Sequence, residues 1–533
     1  MMCGERSTAS VFLLVLIIIS TLIPLLATAG VPYEAEIVVY RSYLGGDFEE
    51  TMVEVLSDQQ GNSYFFGYTN SEEYEYFEPA NPSIGDIDIF LAKVDPSGDL
   101  VFYALYGGRK DDILTDVCQV DDDTFLLAGY TTSSNLPTSS LSFQQSLEGE
   151  QDGFILEITN TGTLGYCSYF GGSGNDKILA IEQDSEGNTI IAGTTSSGNL
   201  PLTNASRSVM EGEDDLFLAK LYQEKTALIY STFWGSNTTD VISQKGNILV
   251  VDAFDNVIIA ASTESYSYPS LRTPSNRSMD VFLSKFNETG FLVDSYFLNT
   301  SAISEEDDFA TSLYMDESGT LFVTGIIYHD IRIIPEGQVD SVPAIASCVF
   351  VSRVDTAFSD YKTIVLEGFR NDTSSDLYVN STGHVFVSGI TDSLNYPQTP
   401  GADDFSGKTD GFLTILKPNL DEIAFSTFLG GYDHENTTYF SVDSYNRIVL
   451  GGCTNSIDII PVAAIQSSKN RPGFDFDAYI VCIDPSRMIQ EPQPLDLSLL
   501  SLSLIVMAPP IVAILVLILI RKRLRIVDSY RVE

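Results

Sequence analysis

One tryptophan, three histidines and six cysteines are all that this 533-residue chain holds of the side chains most used for redox, metal and acid–base chemistry. His329, His384 and His434 are far apart, and none stands in an H-E-x-x-H pattern; G-x-S-x-G, a P-loop and an EF-hand loop are also missing. The chain therefore lacks the usual signatures of zinc hydrolases, α/β-hydrolases and P-loop enzymes. Basic residues are scarce too, 28 Lys and Arg against 73 Asp and Glu, for a formal charge of −45. Such a surface repels nucleic acid and anionic membrane, and suits cations, cationic partners or a salty medium. Five cysteines follow the leader described next: Cys118, Cys167, Cys348, Cys453 and Cys482. They are odd in number, widely scattered and without C-x-x-C spacing, so they read as small buried hydrophobes rather than a disulfide scaffold.

Hydrophobic residues make up 44% of the chain, with 27 Tyr and 31 Phe, enough for a large core built on strands. Two apolar segments frame it. Val11–Leu26 lies between Arg6 and Ala27-Thr28-Ala29, the pattern of a signal peptide covering residues 1–29. Leu497–Ile520 has no charge and is long enough to span a bilayer. Arg521-Lys522-Arg523 follows it and places the tail, residues 521–533, in the cytoplasm. The expectation is a single-pass cell-membrane protein with residues 30–484 outside, joined to the membrane by a proline-containing linker, residues 485–496. Eight N-x-S/T sequons suit a glycosylated exterior: Asn204, Asn237, Asn276, Asn287, Asn299, Asn371, Asn380 and Asn436.

Between the two apolar segments one motif recurs. "YLGGDFEE" begins at Tyr43, "LYGGRKDD" at Leu105, "YFGGSGND" at Tyr169 and "FLGGYDHE" at Phe428. The pairs headed by Gly45, Gly107, Gly171 and Gly235 are 62, 64 and 64 residues apart, and counting to Gly430 gives seven units. Each unit has the same order. After the glycine pair comes an apolar run, then a turn, a run such as "TFLLAGYT" (Thr124–Thr131), a long polar loop, a run such as "DLFLAKLY" (Asp215–Tyr222), and a last run ending on the next pair. Alternation and turn residues mark these runs as strands. Seven units of four antiparallel strands, with no helix between them, predict an all-β, seven-bladed propeller. The ends agree with this. Glu36–Gly46 is a fourth strand with no unit before it, and the last unit stops after a third strand at Asp484. The N-terminal strand is expected to complete the last blade and close the ring.

The pattern resembles the SBBP-type β-propeller repeat of bacterial and archaeal surface proteins over roughly Tyr40–Asp484. Unit four departs from it with Phe233-Trp234-Gly235-Ser236, and unit five loses the pair. The resemblance implies the fold and little about activity.

A carboxylate follows each pair in six units: Glu50, Asp112, Asp176, Asp240, Asp372 and Glu435, with an acid from Glu305–Asp308 as a substitute in unit five. Two readings stand. The acids form a ring near one channel mouth, a candidate site for a cation or a cationic ligand. Alternatively, each caps its own turn by accepting backbone N–H groups. The function expected is non-enzymatic recognition, adhesion or scaffolding through long loops such as Asn70–Gly85 and Asn455–Phe476, whose Pro-containing pieces pack on the blades. The alternative is a surface polysaccharide hydrolase or lyase using the ring carboxylates. No cofactor is expected, calcium being the one ion the acids suit, and the partner is an extracellular protein or glycan rather than nucleic acid. Strand direction takes the chain out of the ring on the tight-turn face. That face is expected to look towards the membrane and the long-loop face away from it.

Overall fold

The computed structural model describes residues 38–485 apart from 83, 237–239, 244–245, 265–278, 299–306, 331–344, 359, 400–402 and 470–474. The expected signal peptide, most of the linker, the membrane segment and the cytoplasmic tail lie outside the described residues, as do Asn237, Asn276 and Asn299. No helix among the described residues is long and apolar enough to cross a membrane.

Seven antiparallel sheets follow one another along the chain. Blade 1 is made of Glu50–Ser57, Ser63–Thr69, Asp88–Val94 and Leu100–Tyr106. Blades 2, 3, 5 and 6 repeat this order from Asp112, Asp176, Asp308 and Asp372. Blade 7 has three strands of its own, Glu435–Val442, Ile448–Thr454 and Asp477–Ile483; Val38–Leu44 pairs with the last of them as the fourth. The molecule is thus an all-β seven-bladed propeller with four-stranded blades, and the N-terminal strand does close the ring. Tyr40 and Tyr43 on that strand are 1% exposed. The Tyr40 hydroxyl donates to Ser63 of blade 1, and that of Tyr43 to the Ser456 carbonyl of blade 7. One apolar cluster joins the closing strand to both neighbours through Leu44, Phe90, Tyr103, Val449 and Ile480.

A bulge interrupts the first strand of six blades, between Met52 and Glu54 in blade 1 and between Leu114 and Asp116 in blade 2. The second strand answers it with glycine. A Cβ on Gly67 would lie 2.1 Å from the Thr51 carbonyl oxygen, and one on Gly129 would lie 1.9 Å from that of Ile113. Only glycine lets the two backbones come so close. The bulge also turns acids towards the next blade. Asp116 accepts the Ile181 N–H of blade 3, and Asp376 that of Phe440 in blade 7. Blade 4 departs from this plan. Its first strand is broken into Asp240–Val241 and Leu249–Val251, and beside the break the Asn247 carbonyl accepts the Leu313 N–H of blade 5.

Few cations are available, and several pair with turn aspartates on the tight-turn face, Lys220 and Arg447 buried and Lys285 half-buried. Lys220 pairs with Asp184, Lys285 with Asp252 at 2.9 Å, and Arg447 with Asp443 at 2.6 Å. Arg447 also donates to the Pro96 carbonyl of blade 1, across the closure.

In blades 1, 2, 3, 6 and 7 the long loops turn back and run beside the fourth strand of their own blade. The Thr203 carbonyl accepts from Ser231 at 2.7 Å, Gln144 accepts from Tyr169, and Val462 and Arg41 exchange both backbone bonds at 2.9 and 2.7 Å. The outer edges are covered in this way, which removes a template for strand addition. Loop aromatics pack inward accordingly: Tyr74 and Phe77 on Tyr103, Tyr396 on Phe412. The packing role of these loops dominates. Their first residues, such as Leu394 in blade 6 and Ile457 in blade 7, stay exposed on the blade-crossing face.

Truncating Tyr40 should weaken the closure without touching any other blade. Tyr40→Ala is expected to lower the unfolding free energy by about 3–5 kcal/mol in urea titration. Val101→Ala, on an exposed strand position, should change it by less than about 0.5 kcal/mol.

Candidate functional site at the blade-crossing face

Each repeated acid is the first residue of its blade's first strand. Glu50, Asp112, Asp176, Asp372 and Glu435 are 2% exposed or less, and Asp240 is half-buried. Each gathers donors from its own blade, although Oε2 of Glu50 and Oε2 of Glu435 are buried without a hydrogen-bond partner. Glu50 accepts the Gly46 N–H at 2.9 Å, the Thr69 hydroxyl at 2.9 Å and the Ser71 hydroxyl at 2.7 Å. Asp112 takes the same set from Gly108, Thr131 and Ser133, and Asp176 from Gly172, Thr195 and Ser197. Glu435 takes it from Gly431, Thr454 and Ser456. Asp372 accepts from Gly368 and Thr391, with Ser393 as the third donor. Blade 4 substitutes Ser236, whose N–H and hydroxyl both reach Asp240. Asp308 supplies the acid of blade 5.

The six carboxylates are therefore clasps within their own blades rather than an open ring at the channel mouth. Turn capping accounts for them, extended by two hydroxyls from the end of the second strand. Among the described residues no group of three or more His, Cys, Asp or Glu side chains is arranged to hold a metal ion.

The clasp explains the glycine pair. A Cβ on the second glycine would strike the serine of the clasp, at 2.4 Å for Gly46 against Ser71 and 2.4 Å for Gly108 against Ser133. The first glycine sits between two acids. A Cβ on Gly107 would lie 2.4 Å from Asp88 Oδ1 and 2.6 Å from Asp112 Oδ2. Close approach is the requirement at these positions; a positive φ occurs only at Gly235, at 112°.

The second acid of each pair is one that the sequence displays without explaining. Asp88, Asp152, Asp215, Asp280, Asp410 and Asp477 open the third strands of six blades. Asp88 accepts the N–H groups of Ile84 and Gly85, Asp152 those of Glu148 and Gly149, and Asp410 those of Ser406 and Gly407. The leading Asp in "DLFLAKLY" and its relatives was the available signal. These acids face the clasp acids of the following blade. Burial, then the charge of Asp477, pushes Glu50 up to about 8. Glu435 is also pushed up to about 8, mainly by burial, with Asp410 adding to it, and burial lifts Asp112 to about 6 and Asp372 to about 7.

Outside the clasp, two positions remain open on this face in each of blades 2, 3, 6 and 7. One follows the glycine pair; the other lies inside the T-x-S-x-N segment that holds it. The backbone fixes both alike. The N–H of the first goes to the Asn or Asp that ends the segment: Arg109 to Asn135, Ser173 to Asn199, Phe369 to Asn395, Tyr432 to Asp458. In blades 2 and 3 the two positions hold Arg109 with Ser134 and Ser173 with Gly198. In blades 6 and 7 they hold Phe369 with Leu394 and Tyr432 with Ile457, which are 36%, 75%, 73% and 64% exposed. Blade 1, next in the ring, adds Phe48 and Tyr76. A polar cavity of about 690 Å³ opens on the same face beside blades 1 to 3, lined by Asp86, Lys110, Asp111, Glu150 and Asn175 among others.

The other candidate residues are dispersed. Asn204, Asn371 and Asn436 are exposed, whereas Asn287 and Asn380 are half-buried and cap tight turns with their side-chain oxygens. His434 lies 3.2 Å from Thr409 Oγ1 and His384 lies 2.9 Å from Thr382 Oγ1, so each touches a hydroxyl rather than an acid. All five described cysteines are buried, and none is in a disulfide.

No protein-family model matches the chain, and no curated protein matches it by sequence. Solved structures do resemble it. A protein of unknown function from Dyadobacter fermentans aligns over 84% of this chain and 98% of its own, at 9% identity and a TM-score of 0.40. Hydrazine synthase of Kuenenia stuttgartiensis aligns over 78% and 95%, at 8% identity and a TM-score of 0.42. The β-propeller domain of the trilobed protease from Pyrococcus furiosus aligns over 77% and 91%, at 8% identity and a TM-score of 0.37. No activity transfers at this distance, and the fold rests on the strand order of the chain itself.

The raised acids give stability a definite pH dependence. A buried carboxyl with a folded value near 8 and an unfolded value near 4.3 binds more protons when folded. Its stabilising contribution is complete below about pH 4 and is lost as pH rises through about 8. Tm should therefore be higher at pH 5 than at pH 9. Glu435→Gln combined with Glu50→Gln should flatten that slope, as read by calorimetry across the range; an unchanged slope would contradict the clasp's protonation.

Proposed function

We propose that this chain is a membrane-anchored, SBBP-type surface propeller that recognises an extracellular partner with its blade-crossing face and carries out no chemistry. One observation carries the reading. The repeats hold the same two positions in the same backbone geometry, and blades 2 and 3 show that polar or small residues satisfy the fold there. The four large apolar side chains on blades 6 and 7 therefore answer to something other than folding. Exposed apolar residues clustered on adjacent elements mark binding surfaces. The repeated acids, which an enzymatic reading would need, are buried inside clasps, and this supports recognition over hydrolysis.

The chain leaves the ring after the third strand of blade 7, on the tight-turn face. An anchor that follows would present the crossing face outward. Tags at Gly198, where an added Cβ meets nothing within 4 Å, and at Gly187, in a tight turn at φ 81°, test this on intact cells. Antibody should label the first far more than the second. Equal labelling would contradict the presentation.

The recognition itself is tested by capture on cell-surface extracts. Leu394→Ser with Ile457→Ser should abolish retention of whatever the native chain captures while leaving Tm within about 1 °C, since exposed substitutions change stability little. Retention that survives the double substitution would place recognition elsewhere.

A further inference from the structure

The geometry points to a cationic polypeptide bearing aliphatic side chains as the partner of the blade 6–7–1 crossing face, an inference that rests on the recognition role above. Two features of this face select that chemistry. The first is the kind of apolar group. Leu394 and Ile457 are 75% and 64% exposed, so two branched aliphatics stand among the rings of Phe48, Tyr76, Phe369 and Tyr432. Sugars are held by flat rings and directional hydrogen bonds, which aliphatic groups cannot supply; aliphatic and aromatic side chains of another polypeptide can pack on such a surface.

The second feature is the sign of the charge around it. Asp458 is exposed beside Ile457, and its carboxylate already accepts the Tyr432 N–H. Glu49, Glu72 and Glu73 stand exposed on blade 1 next to Phe48. Among the described residues the cations on the blade 6 and 7 crossings are Arg370, Lys408 and Lys469; Lys408 is paired with Asp433 at 2.6 Å, and Lys469 is buried 3.8 Å from Asp477. Glu72 and Glu73 are fixed by backbone N–H bonds to Asp47 at 3.0 Å, so the acidic edge is built into the clasp of blade 1. An apolar centre with an acidic rim complements a segment that carries aliphatic residues on one side and Lys or Arg on the other. The overall charge of −45 disfavours a second copy of this chain and an anionic lipid surface alike.

The test uses the full-length chain immobilised through its C-terminus and three synthetic helical peptides of one length: Lys/Leu amphipathic, Glu/Leu in the same pattern, and Lys/Ser. The Lys/Leu peptide should bind at least about tenfold more tightly than either control, and more weakly in high salt. Leu394→Ser with Ile457→Ser should weaken it by about tenfold or more at unchanged Tm. Leu141→Ser, equally exposed but on the outer-edge loop of blade 2, should not. Equal binding of the Lys/Ser peptide would mean that charge alone acts, and equal binding of the Glu/Leu peptide that charge does not; either overturns the proposal. So does a double variant that binds like the native chain. If a polysaccharide, and not the Lys/Leu peptide, is held by the native chain and lost in the double variant, the recognition face survives and the polypeptide partner falls.

Discussion

The structure depends on one repeated contact: a buried carboxylate that gathers a glycine N–H and two hydroxyls where the chain passes from one blade to the next. An acid out of water is unfavourable unless donors surround it. Here three converge on Glu50, Asp112, Asp176 and Glu435, drawn from segments about twenty residues apart. The contact fixes where each outermost strand ends, where the next innermost strand begins, and how closely the second strand approaches. Glycine follows from it, because a side chain at either member of the pair would occupy the space of the clasp serine or of the acids.

This dependence explains how much was legible in the sequence. The period, the strand order and the ring closure could all be read, because a repeat records backbone requirements as fixed residue types at fixed spacing. The role of the clasp acids could be narrowed to capping or ligand binding, but the choice needed the positions of Thr69 and Ser71, about twenty residues downstream of Glu50 and brought back by a hairpin. The third-strand acids were visible in the quoted strands and went unassigned, since their partners sit in loops of varied sequence. The outer-edge course of the loops could not be read at all. Backbone hydrogen bonds such as Arg41 to Val462 leave no residue signature.

The candidate surface was hidden for the opposite reason. Its residues are the ones the repeat leaves free, so they carry no pattern to recognise. Once the clasp is known, blades 2, 3, 6 and 7 act as controls on one another. The same backbone position holds Arg109, Ser173, Phe369 or Tyr432, and the fold accepts each. A binding surface placed there can change without disturbing the ring. The first residues of the long loops, held by the clasp, help to present it, while the rest of each described loop covers a strand edge.

The central claim is this division between positions that hold the ring and positions that it leaves free. A displayed library of single substitutions across all seven crossings, selected for resistance to protease, tests it directly. The account predicts that the glycine pair, the acid and its Thr and Ser donors reject nearly every substitution in each blade that has them, while positions 369, 394, 432 and 457 accept polar residues as readily as 109, 134, 173 and 198 do. Intolerance at Leu394 or Ile457 matching that at Glu435 would contradict it, and would make the exposed apolar residues part of the scaffold.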